Sequence, residues 1–393
     1  MSPLKIAILL SYICVATLSA AMITPALPHL QAVFSLGPGE VEWIVTVFLF
    51  GYVFGQLIYG PLANRFGRLT SMRFGLVINL IGCFLCLTSY YTNSYSLLLF
   101  GRLVTALGAA CGLTCTFILL YELLGQERAK HALAFAVVSF SLGVGLGVSI
   151  GGIVAEYWNW GGIFWVLLLH GALALWGTWL YDEPLQEKQS LHIVHLIRGY
   201  VHVLKNPLFI IFSLVLAASA IVNYTYSASA PLIAHGRLNL SPSEYGYWNL
   251  INIIGMLGSG FGARWLLKKY KPIAVIVYSI AFLALCIGSL FLQYLFDSKS
   301  ASWFFITTMV AYFFSGLLFP CGTHYALSSV NDKGSGSSMM SFINMGTACL
   351  SVLIMGYLPF LHLTNLVVIL ILFLGGVSAA LFSVRRRLGK LSH

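Results

Sequence analysis

The stretch GPLANRFGRLTSMRFG, residues 60 to 75, decides how this chain is organised. It places Arg65, Arg68 and Arg73 between two long apolar segments, in a chain where only 8% of the residues are charged. Lysine and arginine are retained in the short loops on one side of a bilayer, where they fix the orientation of the flanking spans. The stretch therefore predicts a tight basic turn between two membrane-spanning helices.

The composition extends this interpretation to the whole chain. Of its 393 residues, 59% are hydrophobic, against about 45–50% in soluble domains. Apolar runs recur from end to end, and a helix of about 20 apolar residues crosses a hydrocarbon core of about 30 Å. Membrane barrels have alternating segments of about ten residues, which this chain lacks. We predict an all-α polytopic membrane protein with twelve spans. The predicted spans are 5–24, 41–62, 72–91, 97–121, 132–156, 162–181, 207–228, 244–267, 272–295, 301–327, 335–358 and 363–384.

The basic residues predict the topology. Apart from Arg102, Arg237 and Lys299, every lysine and arginine falls at loops or termini on one side of the twelve spans, including the tail at 385–390. The positive-inside rule makes that side cytoplasmic and gives an inner-membrane protein with both termini in the cytoplasm. This asymmetry accounts for the net charge of +10 without a nucleic-acid partner. We interpret the apolar start at Lys5 as the first span rather than a cleaved signal peptide.

A long polar connection divides the spans into two groups of six. We predict an N-terminal bundle at 1–181, a cytoplasmic linker at 182–206 and a C-terminal bundle at 207–393. The linker has one apolar and one basic face at helical spacing, which predicts an amphipathic helix on anionic lipid. Its histidines leave a metal site or pH sensor as an alternative. The two faces are Leu191, Val194, Ile197, Val201 and Leu204, opposite His192, His195, Arg198, His202 and Lys205.

The basic turn carries a family resemblance. Gly60, Asn64, Arg65, Gly67 and Arg68 resemble the G-x-x-x-D-R-x-G-R signature of the major facilitator superfamily. The resemblance implies two pseudo-symmetric six-helix bundles and makes this hairpin a latch between them, with glycines that allow close approach. Asn64 stands where the family has aspartate, and this departure is expected to weaken the charge network of the latch.

The fourth span contains GRLVTALGAACG, in which Arg102, Gly108 and Gly112 resemble the family's R-x-x-Q-G-x-G-A motif. Thr105 and Ala106 replace its glutamine and glycine. An arginine inside a membrane is costly and indicates function by default. The alternative is that Arg102 snorkels toward the nearer membrane surface.

The fifth span contains SLGVGLGVSIGG, which resembles the antiporter motif G-x-x-x-G-P-x-x-G-G at Gly143, Gly147, Gly151 and Gly152, with Val148 replacing the proline. Small residues at every fourth position also form a smooth strip for close helix packing. Packing alone explains the strip, so the antiporter function is implied only by the resemblance.

Three further stretches resemble the bicyclomycin and chloramphenicol resistance branch of the twelve-span drug:proton antiporters: MITPALPHL (22–30), APLIAHGRLNLSPSEYGYWN (230–249) and GLLFPCGTHYAL with GSGSSMMSF (316–342). The branch usually has an aspartate just before the first of these, where this chain has Ala21. The resemblance implies a small-molecule substrate, coupled protons and a functional monomer. It implies no enzymatic reaction, cofactor or metal.

The charged residues indicate the substrate class. No aspartate or glutamate falls near the middle of a predicted span, whereas Arg102 and His324 are expected to give the cavity a positive potential. Neutral or anionic amphipathic molecules suit that field. For the proton we predict Glu42 and His324, together with Arg102. The predicted substrate-binding residues are Arg102, Thr105, Tyr52, Gln56, Tyr59, Asn223, Tyr226, Asn249, Asn252, His324 and Asn344.

Two transport functions remain open at this point. The first is proton-coupled efflux of small amphipathic compounds, and the second is dedicated export of an anionic metabolite such as a carboxylate siderophore. A membrane enzyme or a receptor-like sensor is disfavoured, because we find no metal-ligand cluster, phosphate loop or nucleophile with a placed base, and no soluble domain to transmit a signal. All eight cysteines fall in predicted spans, and the Cys83 and Cys86 pair is interpreted as packing.

Overall fold

The computed structural model describes residues 2–37, 39–125, 128–129, 132, 135–185, 193–359 and 361–383. Within these residues the regular structure is helical, with no strand. Twelve helical segments are long and apolar enough to cross a membrane, which confirms the predicted fold class. The helices are α1 (Pro3–Ser11), α2 (Ile13–Ala21), α3 (Leu27–Val33), α4 (Trp43–Phe66), α5 (Arg68–Thr92), α6 (Tyr95–Leu124), α7 (Ala136–Tyr157), α8 (Trp160–Gly177), α9 (Ile193–Leu204), α10 (Pro207–Gly236), α11 (Pro242–Lys269), α12 (Pro272–Leu295), α13 (Ala301–Ser328), α14 (Lys333–Gly356) and α15 (His362–Ser383).

The first span differs from the predicted continuous helix at 5–24. It runs from Pro3 to Val33 and consists of α1, α2, the short 3₁₀ turn Thr24–Ala26 and α3. Pro25 and Pro28 cause the second interruption because neither has a backbone N–H to continue the helical hydrogen bonds. The hydroxyl of Thr24 donates instead to the Ala21 carbonyl at 2.9 Å.

The basic turn occupies a single residue. Helix α4 ends at Phe66 and α5 begins at Arg68, so Gly67 alone reverses the chain direction. Its φ is +116°, a conformation that residues with a Cβ rarely adopt. This glycine is therefore required by backbone geometry.

The residue contacts divide the chain into two units. Unit 1 comprises Met1–Leu191 with Ala234–Ile253, and unit 2 comprises His192–Ile233 with Ile254–His393. The end of α10 and the first part of α11 therefore group with the first six spans. The proposed domain boundary at residues 182–206 stays a prediction, and residues 186–192 of that linker lie outside the described part.

The core of unit 1 is the tightly packed pair α5 and α6. A Cβ at Gly75 would lie 2.5 Å from Cys111 Cβ, and one at Gly101 would lie 2.6 Å from the sulfur of Cys86. The side chains of Cys83 and Cys86 are fully buried in this contact. Glycines thus bring the two helices close enough for backbone to face backbone.

Unit 2 is held by aromatic contacts and close helix approaches. Phe282 of α12 stacks on Phe314 of α13 with ring centroids 4.3 Å apart. The indole N–H of Trp303 donates to the Ser289 hydroxyl at 2.8 Å. A Cβ at Gly322 would lie 2.8 Å from the Leu216 backbone nitrogen, so α13 also packs tightly on α10.

Candidate functional site

Arg102 is the most unusual side chain of unit 1. It lies in the third turn of α6 and is fully buried. Nη1 donates to the carbonyl of Ser19 at 2.5 Å, and Nε donates to that of Ile44 at 3.3 Å. The guanidinium carbon lies 4.3 Å from the Phe48 ring centroid, a cation–π contact. Arg102 therefore joins the first, second and fourth spans. Its side chain is buried between them and does not extend to the membrane surface.

One of the three guanidinium nitrogens of Arg102 makes no hydrogen bond within the described part of the chain. Nη2 has no hydrogen-bond partner among the described residues. The other acceptors are main-chain carbonyls near the interruption after Ala21 and in the first turn of α4. Carbonyls bring no negative charge, so the cation is solvated by dipoles and a ring rather than by a carboxylate. An anionic or polar acceptor would satisfy the remaining donor.

Thr105, also predicted to bind substrate, lies at the contact of α5 with α6. Its side chain is fully buried and its hydroxyl donates to the Gly101 carbonyl at 2.8 Å. Asn79 donates to the Thr105 carbonyl at 3.0 Å, and a Cβ at Gly82 would lie 2.5 Å from the Thr105 hydroxyl oxygen. In this structure Thr105 is engaged in helix packing, one turn from Arg102.

Glu42 directly precedes α4 and is only 4% exposed. Burial raises the pKa of its carboxyl from 4.5 to about 7, because a charge is costly away from water. Its backbone carbonyl accepts the Thr46 hydroxyl at 2.9 Å. It precedes by two residues the carbonyl of Ile44 that Arg102 binds. A protonatable group and a buried cation thus attach to the same helix start.

The predicted residues of the second span lie along α4. Tyr52 is buried and stacks on Phe48 with centroids 6.3 Å apart, which places it beside the Arg102 cation–π contact. Gln56 is half-buried, and its Oε1 has no partner among the described residues. Tyr59 is buried; its hydroxyl lies 2.8 Å from where a Cβ of Gly75 would stand.

In unit 2, two predicted residues meet around a residue that the sequence did not indicate. Asn223 Oδ1 accepts the hydroxyl of Tyr312 at 3.2 Å. The Tyr226 ring is perpendicular to that of Tyr312 at 5.4 Å, and it stacks on Phe304 at 6.1 Å. All four side chains are buried. Tyr312 was missed because a tyrosine in an aromatic-rich span carries no distinguishing pattern.

The other predicted wall residues make different contacts. Asn249 and Asn252, in the part of α11 that belongs to unit 1, form a side-chain pair at 2.9 Å. Asn344 of α14 is buried, and its Oδ1 has no partner in the described part of the chain. His324 is exposed, with its ring 5.3 Å from that of Tyr325.

The basic turn ends in a network centred on Arg68. Its guanidinium binds Glu122 at the end of α6, at 2.6 to 3.0 Å, and the Ala63 carbonyl of α4 at 2.8 Å. The Glu183 carboxylate accepts the backbone N–H groups of Arg68 and Leu69 at 2.7 and 2.9 Å. This carboxylate satisfies free N–H groups and the positive dipole end of α5. The ends of three spans and the residues after the sixth are thus tied together.

The remaining signature residues are less constrained. Arg65 is exposed and Asn64 is half-buried. Gly60 does not make the close approach expected of a signature glycine, since no described heavy atom lies within 4 Å of its Cβ position. Arg73 donates to the hydroxyl and carbonyl of Thr178 at 3.0 and 3.2 Å. Arg68 and Arg73 thus stabilise unit 1 internally, and the effect of Asn64 on the latch stays a prediction.

The glycine strip of α7 packs on the first span. A Cβ at Gly143 would overlap the Thr17 hydroxyl, and one at Gly151 would overlap the Met22 carbonyl. Gly147 faces Ala21: a Cβ at Gly147 would lie 3.1 Å from the Cβ of Ala21. Ala21, at the position where the branch usually has an aspartate, therefore lies in the contact between the first span and α7.

Gly152 faces a different partner, the start of α11. A Cβ there would overlap the Pro242 carbonyl. Nearby, Glu156 Oε2 accepts the backbone N–H of Ser243 at 2.9 Å, and the Ser149 hydroxyl donates to the Gly246 carbonyl at 2.9 Å. A carboxylate at a helix N-terminus is stabilised by the helix dipole. These contacts join α7 to α11 at the end of unit 1 opposite Arg68.

An apolar cavity of about 390 Å³ lies elsewhere, between α12 and α15 in unit 2. It contains none of the predicted substrate-binding residues. Gly288 and Gly375 widen it, because neither has a heavy atom within 4 Å of its Cβ position among the described residues.

In the described residues, twelve apolar helical segments, close glycine contacts between helices and a basic one-residue turn define a polytopic membrane protein. The sequence model described as Major Facilitator Superfamily matches residues 9–352. The chain belongs to that superfamily. It is also similar in fold to the POT family transporter PepTSo, with a TM-score of 0.75 at 13% identity, over 98% of this chain and 99% of that one.

Several named relatives share part of the sequence. An uncharacterized transporter of Rickettsia felis is 26% identical over 77% of each chain. Multidrug resistance protein MdtM of Salmonella typhimurium is 23% identical over 88% of this chain and 83% of its own length. A bicyclomycin resistance protein homolog of Haemophilus influenzae is 21% identical over 61% of this chain and 60% of its own length.

Proposed function

We propose that this transporter exports small amphipathic neutral or anionic compounds in exchange for protons, by alternating access. Buried Arg102, with one donor left over and main-chain acceptors for the others, is the observation that carries the proposal. The resistance proteins named among its relatives support efflux as the direction of transport.

The placement of acids supports the substrate class. Every described aspartate and glutamate lies at a helix end or in a loop, so none accompanies Arg102 in the middle of a span. A desolvated cation requires a counter-charge in a low-dielectric cavity. A neutral compound has no such requirement, and an anionic compound finds its counter-charge in Arg102.

Two groups are the proposed proton carriers. Glu42 changes protonation near neutral pH, since its pKa is about 7, and it belongs to the helix start that binds Arg102. The second candidate is His324, whose exposed imidazole nitrogens can take up and release a proton. Arg102 provides a fixed positive charge whose effect on an incoming anion depends on the protonation of its surroundings.

The alternative function is dedicated export of an anionic metabolite such as a carboxylate siderophore. The same Arg102 favours it, since a guanidinium binds carboxylates with well-defined geometry. Competition separates the two functions. Export of one anion that structurally unrelated compounds do not inhibit supports the dedicated exporter, and mutual inhibition supports the broader one.

We further propose that the protein lies in the inner membrane as a monomer, with the Arg68 end of unit 1 in the cytoplasm. The basic turn and Lys5, which lies near Leu180, support this orientation. The tail at 385–390, part of the same prediction, lies outside the described residues.

Reconstituted vesicles carrying an internal pH dye test the proposal. With the membrane potential clamped, neutral and anionic amphipathic compounds are expected to drive proton movement that cationic ones do not. Glu42→Gln and His324→Ala are measured separately, and at least one is expected to abolish the gradient-driven part. Substrate movement without proton movement would overturn the coupling, and full activity of both variants would overturn the carriers.

A further inference from the structure

Helix α9 lies in the connection between the sixth and seventh spans. One narrow face of it packs on the start of α14. A Cβ at Gly199 would overlap the Ser335 hydroxyl and lie 3.3 Å from Asp332 Oδ2, at the start of α14. Val203, one turn later, is only 1% exposed. This contact fixes the rotation of α9 about its own axis.

That rotation leaves two other faces uncovered. Ile197, Val201 and Leu204 are 54%, 50% and 37% exposed and lie together, because residues three and four apart share a helix face. Arg198, His202 and Lys205 are also exposed and follow the apolar row around the helix. The helix thus has three faces: one on the protein, one apolar and one basic.

The chain on either side places α9 at the membrane boundary. The span α10 begins at Pro207, three residues after α9 ends at Leu204. Asn206 fixes this corner: its Nδ2 donates to the Ser329 carbonyl at 2.7 Å, and its Oδ1 accepts the Leu208 backbone N–H at 3.0 Å. The exposed apolar row therefore cannot move far from the level at which the bilayer starts.

We propose that α9 is a binding surface for anionic phospholipid, with Ile197, Val201 and Leu204 inserted among the acyl chains and Arg198 and Lys205 on the headgroup phosphates. An interfacial helix buries its apolar face by about 5–10 Å. Each cation near an anionic membrane surface contributes about a fivefold preference. The occupant is lipid because the surface combines apolar and basic faces at the start of a span.

The contact with α14 gives this surface a connection to the rest of unit 2. Asp332 Oδ1 accepts the Ser335 backbone N–H at 3.1 Å and so caps the helix that Gly199 touches. Lipid that holds α9 in place therefore also holds the first turn of α14. The inference goes beyond the proposed function and does not depend on the transported compound.

Spin labels on the full-length protein test the depth of α9. Labels at Val201→Cys and His202→Cys are compared in phosphatidylcholine vesicles containing phosphatidylglycerol. The native cysteines provide a low background, since seven are buried and Cys14 is partly so. The label at 201 is expected to collide with oxygen and be protected from a water-soluble nickel complex, with the reverse at 202. Equal access of the nickel complex to both would overturn the proposal.

The lipid preference is tested with charge variants. Arg198→Gln with Lys205→Gln is expected to lower the preference for spin-labelled phosphatidylglycerol over phosphatidylcholine by about 25-fold, since each of the two lost cations contributes about fivefold. The matched control is Arg198→Lys with Lys205→Arg, which retains both charges and is expected to behave as the unchanged protein. An unaltered preference in the first variant, or an equal loss in the control, would contradict headgroup binding by charge.

Discussion

The hydroxyl of Ser149 in α7 donates to the carbonyl of Gly246 in α11 at 2.9 Å. The approach is so close that a Cβ on Gly246 would lie 3.0 Å from Ser149 Cα. Gly152 and Glu156 extend the same contact to the start of α11. If transport proceeds by the proposed alternating access, we predict that the first part of α11 separates from α7 during the cycle.

A cysteine pair tests this prediction. Ser149→Cys with Gly246→Cys places two thiols at this contact, where a Cβ at Gly246 would lie 3.0 Å from Ser149 Cα, and oxidation is expected to bridge them. Transport in vesicles is expected to stop on oxidation and to recover on reduction. Each single-cysteine variant serves as the control and is expected to be insensitive to both treatments. Undiminished transport by the cross-linked protein would show that α7 and α11 do not separate.

The signature glycines are predicted to differ in their tolerance of a methyl group. Gly67→Ala is expected to lower stability by about 1–3 kcal/mol, because the residue has φ +116° and Glu183 Oε2 lies 2.6 Å from its Cβ position. Gly60→Ala is the matched control: it lies in α4 with space around it, and alanine is the better helix former. Thermal unfolding in detergent measures both. Equal effects would refute the backbone explanation.

Arg68 and Arg65 provide a second matched pair. Arg68→Lys is expected to destabilise the protein by about 1–3 kcal/mol. Lysine lacks the planar guanidinium that donates to the Glu122 carboxylate and to the Ala63 carbonyl at the same time. Arg65→Lys changes an exposed residue and is expected to stay within about 0.5 kcal/mol. Unfolding temperatures of the two variants decide the matter, and comparable losses would rule out a special role for the Arg68 network.

Glu42 predicts a pH dependence of stability. Its folded-state pKa of about 7 exceeds the ordinary 4.5, so the folded protein binds this proton more tightly. Binding of this proton therefore stabilises the folded protein by at most about 3 kcal/mol. The full contribution is present below pH 4.5, declines as the pH rises to 7 and is absent above pH 7. Glutamine stays neutral, so in Glu42→Gln the unfolding temperature is expected to depend less on pH between those two values.

Exposed Glu40 provides the control for that measurement. Glu40→Gln is expected to leave the decline in place. A Glu42→Gln protein with the same pH profile as the unchanged one would show that Glu42 titrates normally.

The sequence predicts what depends on composition and local spacing. Apolar length gave the twelve spans, and α12 occupies the predicted residues 272–295. Helical periodicity in the linker predicted α9. The interruption of the first span was not predicted, although Pro25 and Pro28 explain it once the helix is seen to continue to Val33. Helices are therefore more predictable than the breaks within them.

The interaction partners of the predicted residues were harder to predict from the sequence. Arg68 binds Glu122 and Glu183, which are distant in sequence and have no motif of their own. Arg102 binds carbonyls of Ser19 and Ile44, and any residue type supplies a carbonyl. Close helix approach is signalled by glycine, but Gly60 shows that the residue alone does not specify a contact.

Arg102 also exposes the protein to the membrane voltage. Among the described residues no carboxylate forms an ion pair with it, so its full positive charge stays in the low-dielectric part of unit 1. A unit charge crossing the whole field changes energy by about 2.3 kcal/mol per 100 mV. Any step that shifts the depth of Arg102 is therefore driven or opposed by the potential, and an anion bound beside it would cancel that force. We expect the empty carrier to be voltage-sensitive and the anion-loaded carrier to be much less so.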